Sequence, residues 1–163
     1  MARFTCLVAM LMSLAAPTAI AQRLPLNVED YLADNYATMR DYGRCSAYYT
    51  HRAQMLELSK RAYAAEAEDL WDRARDMKVA ADTAFANVKA PADASTEEVR
   101  KVEAKIAAYT GSLESIIALE TARQKARAER REFDIEQMNF CWRKRTQQLA
   151  IEALRKQGIF SGS

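Results

Sequence analysis

The chain of 163 residues carries 24 basic and 22 acidic side chains, one histidine and three cysteines. So even a balance gives no bulk pull toward nucleic acid, and a single histidine without a cysteine cluster leaves no zinc-ligand pattern. Glycine and proline are scarce, at 4 and 3 residues, so long helices meet few breakers.

The first segment reads as a cleavable secretory signal peptide over residues 1–21. Arg3 supplies the positive start, Leu7 to Ala16 the apolar core, Pro17 a break, and Ala19-Ile20-Ala21 the small-residue cleavage site. The mature chain then begins at Gln22 and forms a single helical domain over 22–163. No later stretch is apolar enough to span a bilayer. The expected location is therefore outside the cytoplasm: periplasmic in a Gram-negative cell, extracellular otherwise. In such a compartment the two cysteines that remain, Cys45 and Cys141, pair most simply as a disulfide.

Asn27, with Asp30 three residues on, marks the first helix start. The segment from Val28 to Tyr42 carries Tyr31, Leu32, Tyr36 and Met39 on one face and reads as an N-terminal helix. Gly43 is the expected break after it. A first long arm follows, with its stripe through Cys45, Tyr49, Leu56, Tyr63, Leu70, Met77 and Phe85. Pro91 sits in a turn near residues 90–95, and Ser95 with Glu98 forms a capping-box start. The second arm carries Val99, Val102, Ile106, Tyr109, Leu113 and Ile116, then slips one place and continues from Leu119 to Phe140. Steps averaging about 3.5 residues favour left-handed, coiled-coil-like packing.

The predicted fold is all-α: a long antiparallel helical hairpin with the extra N-terminal helix beside it, resembling a three-helix bundle. Equal rise per residue makes level positions on the two arms share a constant sum, about 186 for a turn near Asp93. Cys45 and Cys141 sum to 186. So thin a hairpin gains from a cross-link, and a second copy of the chain would also bury its apolar stripe.

An extended hairpin sorts the charges end to end. Residues 40–61 and 123–145, the disulfide half, carry 13 basic and 6 acidic side chains, while the turn half is acidic in balance. The candidate surface for an anionic partner is Arg123, Lys125, Arg127, Arg130, Arg131, Arg143, Lys144 and Arg145. The alternative is an ordinary solvated face, neutralised by Glu129, Glu132, Asp134 and Glu136. Tyr36, Tyr42, Tyr48, Tyr49, Phe133, Phe140 and Trp142 are expected to gather around the disulfide, either as core or as a ligand groove. His51 and Met55 share a helix face, too few ligands for a firm metal site.

Catalysis has no footing in the sequence. There is no G-x-S-x-G, no H-E-x-x-H and no phosphate-binding glycine loop, and no cofactor motif. The expectation is a non-enzymatic exported protein, binding or structural, that holds an acidic envelope component or an unfolded client through its basic half. The competing expectation is a carrier of a small ligand or metal within a helical bundle.

Overall fold

The computed structural model describes residues 24–59, 63–130 and 135–159. The expected signal peptide, Arg131 and Phe133 lie outside them. Among the described residues there is no strand; the elements are α1 (Val28–Ser59), α2 (Ala64–Asp82) with a 3₁₀ turn (Thr83–Phe85), α3 (Thr96–Gly111), α4 (Leu113–Glu129) and α5 (Ile135–Lys156). The all-α class and the packing of several helices against one another are as the sequence implies.

Two helix starts form where the capping residues stand. Asn27 Oδ1 accepts from the backbone N–H groups of Glu29 and Asp30 at 3.2 and 3.4 Å. Ser95 and Glu98 close a full capping box at the head of α3, satisfying two otherwise orphaned donors. The same Glu98 carboxylate accepts the backbone N–H of Leu26 at 2.8 Å, which ties the start of α1 to the start of α3.

The helices run up, down, up and down, with α3 and α4 acting as one bent rod. The Ser46 hydroxyl donates to the Ala74 carbonyl at 2.8 Å, and the Asn35 amide donates to that of Ala84 at 2.9 Å, so α1 and α2 are antiparallel. Glu29 pairs with Lys105, and Gly43 faces Leu113, Ile116 and Ile117, so α3 and α4 run parallel to α1. Asp41 pairs with Lys144 at 2.8 Å and Cys45 is bonded to Cys141, which sets α5 antiparallel to α1.

The seam between α1 and α2 explains why alanine is so common. Ala67, Ala74 and Ala81 are buried at seven-residue spacing, with Met77 fully buried between the last two. That is a coiled-coil-like seam, and its small residues bring the two backbones close. Near its middle α1 is buried almost all round: Tyr42, Gly43, Cys45, Ser46, Ala47 and Tyr49 are all shielded. This is the pattern of a central helix with neighbours on every side.

The chain path differs from the sequence expectation at three points. The first arm is not one helix: it reverses between Ser59 and Ala64, and α2 packs back along α1. Residues 28–42 are not a separate helix, because α1 runs unbroken through Gly43. A Cβ at Gly43 would sit 3.1 Å from Leu113 Cδ1, so this glycine permits close approach of α4 rather than a break. The second arm is divided too: Ser112 separates α3 from α4 just after Gly111, and α5 is a separate, antiparallel helix after α4.

The expected hairpin is thus folded in half. Both arms are interrupted at about the same level, after Ser59 and after Arg130, and α2 packs on α1 rather than along α3 and α4, so the expected pairing of the arms is kept at the cysteines and not along their length. Lys78 meets Glu114 at 2.9 Å, and the Cys45–Cys141 bridge has a Cα–Cα distance of 5.2 Å, within the usual disulfide range. The end-to-end charge separation does not survive. The acidic first turns of α2, with Glu66, Glu68, Asp69 and Asp72, now lie alongside the basic second half of α1.

Candidate anion-binding groove

The disulfide sets the register between α1 and α5, and it thereby places the residues beside each cysteine. Arg44, next to Cys45, comes close to Phe140, next to Cys141: its guanidinium lies 5.4 Å from the ring centroid, a cation–π distance. Arg127 approaches from α4, and Arg143 lies two residues beyond Cys141. Together they line a mainly polar cavity of about 520 Å³ with Glu136, Gln137, Asn139 and Phe140. Three arginines and one carboxylate, Glu136, line it among the described residues. Among the described residues, neither Arg44 nor Arg143 has a carboxylate partner. Gln137 is buried under the groove and donates its amide to Cys141 Sγ at 3.1 Å.

Of the eight basic residues singled out from the sequence, Arg131 lies outside the described residues, and the other seven do not form one surface. Arg127 and Arg143 meet in this groove, whereas Arg123 is paired with Glu120 along its own helix. Lys144 is committed to Asp41, and also lies over the Phe140 and Tyr42 rings at 5.5 and 6.0 Å. Arg145 pairs with Asp76 of α2 at 3.3 Å. Lys125 stands in a different groove, with His51 and Met55. Arg130 is exposed at the end of α4. Periodicity explains the division: at about 100° per residue, Arg123, Arg127 and Arg130 share one face of α4 and Lys125 points away.

The aromatic set also divides. Tyr36 stacks on Tyr109 at 4.0 Å, with Phe85 beside it at 5.9 Å from Tyr109, in a cluster near the α2–α3 turn rather than the disulfide. Tyr48, Tyr49 and Trp142 line a groove on the other side of α5. Burial pushes the hydroxyls of Tyr42 and Tyr49 to higher pKa, partly offset by Lys144 at Tyr42 and by Arg73 and Arg145 at Tyr49. His51 is buried, and this burial, together with nearby Arg52 and Lys125, pushes its pKa down. Among the described residues, no group of three or more His, Cys, Asp or Glu side chains is placed to hold a metal ion.

Arg44, Gln137 and Asn139 are groove residues that the basic run did not reveal. Arg44 was within reach, since any pairing of Cys45 with Cys141 carries their neighbours together. Gln137 and Asn139 offer no charge or motif by which to single them out. Compared with protein families, with curated proteins and with solved structures, the chain gives no match.

Proposed function

We propose that this protein is an exported, non-enzymatic binding protein whose arginine groove receives an anionic group of a partner outside the cytoplasm. The observation that carries the reading is the convergence of Arg44, Arg127 and Arg143 on one polar cavity whose lining, among the described residues, holds one carboxylate, Glu136. Guanidinium forks match carboxylate and phosphate geometry. Two of the three lack a carboxylate partner within the described residues, so an incoming anion does not have to displace one. Export is supported by the secretory pattern of residues 1–21 and by the Cys45–Cys141 bridge, which persists in an oxidising compartment. No described helix is long and apolar enough to cross a membrane.

The test is binding to an acidic polypeptide and to phosphatidylglycerol vesicles, each titrated with salt. Wild type is expected to bind at least one of them and to lose affinity as ionic strength rises, because exposed charges are screened beyond about 10 Å at 0.1 M salt. An Arg44→Gln, Arg143→Gln double variant is expected to bind at least about tenfold more weakly, the scale of one charge-assisted hydrogen bond. Binding that ignores salt and survives the double substitution overturns the reading.

A further inference from the structure

The geometry points to a second site, across α5 from the arginine groove, that binds a straight-chain carboxylate: an apolar acyl body with a single negative head. Tyr48 and Tyr49 of α1, Leu70 of α2, and Met138 and Trp142 of α5 enclose a mainly apolar groove of about 390 Å³. That size falls among small-molecule sites, which span roughly 300–1,000 Å³. Trp142 is 61% exposed and Met138 39% exposed. An occupant that covers them removes apolar surface from water, the dominant favourable term in such binding.

Charge selects the class of occupant. Among the described residues, the charged and amide members of the lining are Arg52, Arg73 and Asn139, and no acid is among them. Arg52 is exposed and has no carboxylate partner among the described residues. Arg73 is paired with Asp69 through one nitrogen, but its Nε is buried without a hydrogen-bond partner. Its guanidinium lies 6.0 Å from the centre of the Tyr49 ring. An apolar trough edged by Arg52, which has no carboxylate partner among the described residues, and by Arg73, whose Nε is left unbonded, suits a ligand that brings one negative charge on an apolar chain. A neutral lipid would leave the Arg52 guanidinium unanswered, and a compact inorganic anion would leave Met138 and Trp142 wet.

The two grooves share only Asn139, on the outer side of α5. The second site is therefore independent of the first and can fail or succeed alone. The chain has two tryptophans, so Trp71→Phe leaves Trp142 as the sole indole reporter. Decanoate and the uncharged decanol are the probes. Decanoate is expected to shift Trp142 emission saturably to shorter wavelength, at concentrations about tenfold below those decanol needs. Arg52→Gln with Arg73→Gln should bring decanoate to the level of decanol, Arg52→Lys should retain part of the preference, and Arg143→Gln should change nothing. Three results each overturn the proposal: no shift with either probe, equal affinity for both, or emission that moves with protein concentration alone. The last assigns the groove to a second copy of the chain.

Discussion

Within one bundle, α1 and α5 are held in opposite ways. α1 buries ten residues, most of them apolar, against α2 and α4. α5 has 22 residues, of which only Gln137 and Cys141 are buried. It is fastened by the disulfide, by Lys144 on Asp41 and by Arg145 on Asp76. Its outward side leaves Ile135, Met138, Trp142 and Leu149 exposed. Both candidate grooves border this loosely packed helix. Stability resides in the α1–α2–α4 core, and recognition is assigned to a helix held by a few discrete contacts.

The largest expected effect separates these two regions directly. Cys45→Ser or Cys141→Ser removes a cross-link spanning 96 residues, worth roughly 4–5 kcal/mol in the chain-entropy model. Hydrogen exchange should show α5 losing protection first in both variants, with α1 and α2 still protected. Simultaneous loss across all helices would erase the distinction.

Next in size is a matched pair of methionines. Met77→Ala should cost about 2–5 kcal/mol in denaturant unfolding, because its side chain is fully buried. Met138→Ala, in the open groove, should cost a small fraction of that. Gly43→Leu should then cost about 1–3 kcal/mol by overpacking the α1–α4 contact, while Gly43→Ala should be near neutral, its gain in helix propensity offsetting the close approach to Leu113. The smallest effect belongs to Asp41 and Lys144. A double-mutant cycle on that partly exposed pair should give a coupling of about 0.2–1 kcal/mol that shrinks with salt. A coupling several times larger would mean that α5 is held mainly by charge.

The helical class, the caps at Asn27 and Ser95, and the Cys45–Cys141 pairing were all legible in the sequence, because each is written in local chemistry or in simple register. The reversal after Ser59 was not. The apolar stripe passes from Leu56 through Ser59 and Tyr63 to Ala67 in unbroken threes and fours, without a glycine or proline near it. Periodicity cannot distinguish a continuous helix from two helices that keep phase across a tight turn. Gly43 misled for a related reason: a helix-weakening residue is also what a close helix contact needs, and only Leu113 on the neighbouring helix decides between the two. The arginine groove was half legible, since Arg127 and Arg143 stand in basic runs, but Arg44 reaches them only through the pairing of the cysteines beside it.

The sulfur bridge also turns most of the polypeptide into a ring. α2, α3 and α4 all lie between its two ends, so a protease that cuts once in the stretch from Ala86 to Ala94 liberates nothing. The nicked particle should migrate as one species without reductant and as two with it. Its helices, still leashed to one another, should keep their places for as long as the bridge stays oxidised.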